Sequence, residues 1–155
     1  MCTMNVRPLD GEDRSWLVET VAQEWGLPVV SISGVHDPHT LPGFVAEQDD
    51  RRVGVVTYRT TPGECEVVTL NSLLANRGVG TALLGAVKEV ADAHGLRLWL
   101  LTTDENANAI RFYERRGMTR RALHRDFIDR VRPHKTLPHN AARADAFRDA
   151  IEFSY

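Results

Sequence analysis

The chain has 155 residues, with 43% apolar and 26% charged side chains and a net charge of -2 from 19 basic and 21 acidic residues. That length fits one domain with its own core, spanning residues 1–155, and the composition is that of a globular protein rather than a disordered one. The near-neutral balance gives no field directed at nucleic acid or a membrane surface. Two cysteines, Cys2 and Cys65, make no disulfide framework, and no Cys/His spacing matches a zinc site. No segment has a signal peptide's apolar centre or the length to span a bilayer. The expectation is a soluble, cytoplasmic protein.

Residues 3–8 read as a first strand. Asp10 can cap a helix running to about Trp25, with Trp16, Leu17, Val21 and Trp25 near helical spacing. Residues 27–42 carry three prolines, two histidines and a glycine, and read mostly as loop. Gly43–Gln48 and Arg52–Thr60 form two strands joined by the turn Asp49–Asp50–Arg51. After the turn Pro62–Gly63, Glu64–Ser72 alternates into a third. Gly78–Ala93 places Ala82, Leu83, Ala86, Val87, Val90 and Ala91 on one helical face. Leu96–Leu101 is almost wholly apolar, as a strand buried on both sides is. Thr103 or Asp104 can cap a helix Asn106–Arg116, and Met118–Arg125 and Ala150–Tyr155 are further strands. This order predicts a mixed α/β sheet.

Two clusters carry chemistry. In the first, the strand Glu64–Ser72 leads through Ala75-Asn76-Arg77 into Gly78-Val79-Gly80-Thr81 at a helix start. Glycine allows close backbone approach, and the first helical turn offers unpaired N–H groups with partial positive charge. Such a turn suits a phosphate or diphosphate; the same glycines would also permit tight strand–helix packing. It is not a P-loop: counting from Gly80 the second glycine is Gly85, but Ala86 and Val87 follow instead of Lys and Ser/Thr. Nor is it a dinucleotide loop, because Leu83 stands at the third glycine position. In the second cluster, Asn106, Ala109 and Tyr113 fall at i, i+3 and i+7 on one face. An amide, a small residue and a phenol make an unusual face for a core helix.

Together these clusters resemble the GNAT superfamily of N-acetyltransferases. Its loop Q/R-x-x-G-x-G/A falls on Ala75–Gly80, and its helix N-x-x-A-x-x-F/L-Y-x-x-x-G-F falls on Asn106–Met118. The resemblance covers about residues 40–125. It departs at Ala75, where the family has Gln or Arg, and at Met118, where it has Phe; Arg77 or a basic residue from 111–135 would replace the missing side chain. The resemblance implies a mostly antiparallel sheet flanked by helices, splayed between strands Glu64–Ser72 and Leu96–Leu101. It implies acetyl-CoA as cosubstrate, no metal, and direct transfer to an amine in a ternary complex. Asn76, Arg77, Gly78, Val79, Gly80 and Thr81 would hold the diphosphate. Leu70, Ser72 and Asn106 would position the pantetheine arm. Tyr113 would protonate the leaving thiolate. Glu66 would take the amine's proton, with Glu64, which shares its strand face, as runner-up. That proton must go somewhere, because an amine of pKa near 10 is only about one part in a thousand neutral at pH 7. A non-catalytic acyl-CoA-binding module on the same fold is the alternative, and an ATP-binding loop a third.

Four smaller readings complete the set. His36-Asp37-Pro38-His39 lacks a third ligand and a helix to align the histidines, so it reads as a loop contact to the acceptor rather than a metal site. Cys65 reads as a buried filler, not a nucleophile. Residues 1–50 hold nine acidic residues against Arg7 and Arg14, which favours a cationic acceptor, a small molecule or a peptide amine. The final strand, read as exposed, would allow a homodimer.

Overall fold

A computed structural model describes residues 4–25, 27, 29–31, 33–74, 77–103, 106–125 and 150–155. In chain order the elements are β1 (Met4–Pro8), α1 (Arg14–Trp25), β2 (Val29–Ser31), β3 (Gly34–His36), β4 (Gly43–Gln48), β5 (Arg51–Thr61), β6 (Glu64–Ser72), α2 (Val79–Ala93), β7 (Arg97–Thr103), α3 (Ala107–Arg115), β8 (Thr119–His124) and β9 (Ala150–Ser154). Seven strands form one sheet in the order β1-β4-β5-β6-β7-β9-β8. Only β6 and β7 run parallel, joined by the α2 crossover, and the other neighbours are antiparallel. The expected mixed, mostly antiparallel sheet is what forms.

Local chemistry explains most of these boundaries. Asp10 accepts from the Glu12 N–H at 2.9 Å, and Asp13 reaches back to the Asp10 N–H. This capping box starts a short 3-10 turn, Gly11–Asp13, that continues into α1. The β4–β5 turn is two residues long, Asp49 and Asp50, both at positive φ (53° and 61°). That is the turn whose twist matches paired strands, and aspartate tolerates it. Gly54 lies under α2: a Cβ there would stand 2.5 Å from Val79 Cγ1, so only glycine lets the helix pack so close.

The sheet has a core on each side. Val55 packs with Leu17 and Val21 of α1 and with Val29. Val56, the next residue, joins Leu83, Leu84, Val87 and Ala91 of α2. Strand alternation sends the two valines to opposite faces. Each such side chain contributes about 1.5–3 kcal/mol when fully buried. Asp13 is also buried, and Arg7 (2.8 and 2.9 Å) and Arg52 (2.9 Å) neutralise it.

Three expectations change. Residues 27–42 are not mostly loop: β2 and β3 pair as a hairpin, with Val29 opposite His36. Asn106, rather than Thr103 or Asp104, caps α3, its Oδ1 accepting from the Ala109 N–H at 3.2 Å; Asp104 lies outside the described residues. The final strand is not an exposed edge. β9 pairs with β7 on one side and β8 on the other, and β8 forms the edge. Its sequence, Ala-Ile-Glu-Phe-Ser, buries all but Glu152, as an interior strand must.

Candidate functional site

The site lies where β6 and β7 part. They pair only from Glu64–Arg97 to Val67–Leu100. Beyond that point the β5–β6 register shifts, with Thr57 opposite Thr69 and Tyr58 opposite Val67, so Val68 is the extra residue. A bulge bends and twists its strand, and this one sits where β6 leaves β7. The expected splay is therefore present, and Leu70, Asn71 and Ser72 lie on the freed part of β6.

At the near end of the opening stands α2. Gly78 is its N-cap, at φ 76°, with no side chain capping the first N–H groups. Among the described residues a Cβ on Gly78 would meet nothing within 4 Å, so none of them covers the helix mouth there. Val79 is buried and can offer only its backbone N–H; Arg77 and Thr81 are exposed. Gly80 faces the Phe112 ring, and Arg116, just past α3, lies over that ring at 4.7 Å while its Nε donates to Thr81 Oγ1 at 2.9 Å. A guanidinium thus stands beside the first turn of α2, from the basic segment expected to supply one. Ala75 and Asn76 lie outside the described residues.

Tyr113 is 8% exposed, edge-on to Phe112 (5.4 Å between centroids) and tilted against Phe153 (5.7 Å). Burial, and then the negative charge of Glu24, push its phenol well above the ordinary value of 10. The group stays protonated across the physiological range and remains a proton donor. Asn106 faces its own helix through the cap, while Leu70 is half-buried against the core. Ser72 turns back to the Leu74 carbonyl at 2.9 Å.

Glu66 is 2% exposed. Ser31 Oγ donates to its Oε2 at 2.6 Å and Ser33 Oγ to its Oε1 at 2.5 Å, with Arg59 Nη1 at 3.4 Å. The β2–β3 hairpin is therefore pinned on this carboxylate. Ser33 Oγ also lies 2.8 Å from His36 Nε2. Burial pulls the His36 imidazole below its ordinary 6.5, opposed by the Glu66 charge and reinforced by that of Arg59. Glu64 points elsewhere and pairs with Arg97 at 3.0 Å. Cys65 is buried, its thiol pushed up to about 11 chiefly by burial, which makes it inert. Among the described residues no group of three or more His, Cys, Asp or Glu could hold a metal ion. No helix among them is long and apolar enough to cross a membrane.

Residues the sequence did not single out complete the site. Asn71 is 1% exposed, and its Nδ2 donates to Glu24 Oε2 of α1. Its Oδ1 is buried, with no hydrogen-bond partner among the described residues. A buried carbonyl oxygen left unpaired costs about 1–3 kcal/mol, so the group invites a donor. The sequence held only a weak signal for it, an asparagine directly after the run Val67-Val68-Thr69-Leu70 of β6. Ser31, Ser33 and Arg59 gave none, because each acts only through Glu66.

Comparisons with known proteins agree with this geometry. The family model described as Acetyltransferase (GNAT) family matches residues 8–118. The Bacillus subtilis protein YdhI, itself uncharacterized, is 37% identical over 142 residues, 89% of each chain. The ribosomal-protein-S18-alanine N-acetyltransferase of Escherichia coli superposes with a TM-score of 0.71 at 17% identity, over 98% of this chain and 92% of that one. A Bacillus subtilis acetyltransferase in complex with CoA superposes at 0.70 and 18% identity, over 99% and 97%.

Proposed function

The chain belongs to the GNAT acetyltransferase family, and from that premise we propose that its single domain moves the acetyl group of acetyl-CoA directly onto an amine. The observation that carries this reading is the parting of β6 from β7 beside the open mouth of α2, with the unpaired Asn71 Oδ1 on the freed strand. An anionic head fits the mouth: the N–H groups of Val79, Gly80 and Thr81 face it, with Arg77 and Arg116 adding charge. An amide-bearing arm fits the freed strand, where Asn71 Oδ1 accepts an N–H and the backbone at Leu70 and Ser72 supplies further partners. Asn106 shapes the other wall by capping α3.

The chemistry follows from what these residues can do. The neutral amine attacks the thioester carbon, the C–S bond breaks, and Tyr113 gives its proton to the departing sulfur. Glu66, as general base, takes the proton the amine loses. Held geometry supplies much of the rate, since orientation alone is worth several kcal/mol. No covalent intermediate is involved, because Cys65 is a buried thiol, not a thiolate. The acidic N-terminal third favours a cationic acceptor, a small amine or a peptide's amino group.

The test is thiol release from acetyl-CoA against a panel of amines, with Tyr113→Phe and Glu66→Gln beside the parent chain. Turnover with at least one amine, lost in both variants, supports the reading. Tight acetyl-CoA binding with no turnover on any amine makes the protein a binding module. Equal affinity for ATP makes the loop a nucleotide site.

A further inference from the structure

We propose that Ser33 and His36 form the proton outlet of Glu66, so that His36 exchanges the reaction's proton with water; this rests on Glu66 serving as the base. Glu66 is 2% exposed, and both its oxygens are occupied by serine hydroxyls. A buried base that gains a proton each turnover must lose it by a defined route. Among the described residues Ser31 Oγ makes no onward hydrogen bond, whereas Ser33 continues: its Oγ is 2.5 Å from Glu66 Oε1 and 2.8 Å from His36 Nε2. His36 is half-buried at the end of β3, between the carboxylate and the surface.

The proton count closes. At rest the Ser33 O–H is donated to Glu66, and His36 Nε2–H donates to Ser33 Oγ. Once Glu66 is protonated, its O–H donates to Ser33 Oγ. His36 exchanges its Nε2–H for an Nδ1–H through water, the Ser33 proton then turns to the bared Nε2, and the resulting imidazolium releases its Nδ1 proton to water, which restores the Nε2–H form. Each O–H and N–H bond broken is matched by one formed, and the hydroxyl is unchanged. Both residues act through Glu66. The charged groups facing His36 are Glu66 from β6 and Arg59 from β5, with Asp37 and His39 beside it in the chain. Burial disfavours the imidazolium, so His36 is mostly neutral at pH 7 and ready to accept.

The experiment measures thiol release from acetyl-CoA between pH 5.5 and 9 with spermidine, with tyramine and with no amine, where water attacks and needs the same base. In the parent chain the rate falls as pH drops through the His36 pKa, because a charged imidazole accepts nothing. His36→Gln keeps a donor to Ser33 but carries no proton. It is expected to lower kcat about tenfold or more, remove that acid limb, leave the melting temperature unchanged, and regain rate with added imidazole. Ser33→Thr keeps the hydroxyl and is expected to stay active, while Ser33→Ala is not. A His36→Gln enzyme with the parent rate and acid limb overturns the relay while an inactive Glu66→Gln leaves the base in place. An active Glu66→Gln, or no thiol release under any condition, removes the base reading and the relay with it.

Discussion

The Phe112 ring stands 3.2 Å from the point a Cβ on Gly80 would occupy. Arg116 lies on the same ring and reaches Thr81. The second residue of α2 is thus fitted to an aromatic floor that also carries a guanidinium. Gly80→Val displaces the ring and Arg116 together. Calorimetric titration is expected to show acetyl-CoA binding weakened about tenfold or more, with Arg116→Ala weakening it less, because a contact from an exposed charge is worth about 0–1 kcal/mol. Unchanged affinity in both variants would place the anion elsewhere.

Tyr113→Phe removes a hydroxyl while keeping the ring against Phe112 and Phe153. We expect kcat to fall about a hundredfold, with acetyl-CoA affinity and melting temperature unchanged. The sign of the phenol's shift gives a second check. Because burial and Glu24 raise its pKa, the alkaline side of the parent's pH–rate profile is expected to show no loss of activity near pH 10, where a free tyrosine ionises.

Asn71 trades stability for binding. Its Oδ1 is buried and unpaired, so Asn71→Leu removes an unsatisfied acceptor as well as the hydrogen bond to Glu24. Chemical denaturation is expected to show stability unchanged or raised by about 1 kcal/mol. Acetyl-CoA affinity is expected to drop about fivefold or more. A variant both less stable and fully able to bind would make Asn71 a purely structural residue.

Asp13 joins β1, the start of α1 and β5 through Arg7 and Arg52. Hydrogen bonds from Arg7 lead the causes that hold its carboxyl well below the ordinary value of 3.8. The folded chain therefore binds this proton less readily than the unfolded chain. The stabilisation is complete above the unfolded value and is lost as pH falls below it toward the folded value. Asp13→Asn is expected to cost about 2–3 kcal/mol at pH 7, allowing for the partly exposed arginines, and to flatten the acid limb of stability. An unchanged acid limb would contradict this.

What could be read beforehand was what is local. The loop around Gly78 and Gly80 and the spacing of Asn106, Ala109 and Tyr113 are patterns within a dozen residues, and α2 follows from its apolar stripe. The β2–β3 hairpin is different. Its prolines argue for loop, and what orders it is Glu66, 33 and 35 residues away in sequence. Asn71 meets Glu24 across 47 residues, so neither residue signals the other. The place of β9 depends on which strand edge was left open by β7 and β8, and strand propensity does not record that.

The late strand β9 also bears on how the chain is made. Ribosomes deliver β7 and β8 well before residues 150–154, yet those two strands touch only through β9. The nascent sheet must therefore hold an unfilled slot, with Leu100 and Tyr113 awaiting Phe153. A chain stalled before Ala150 would present two raw edges to chaperones or to its neighbours.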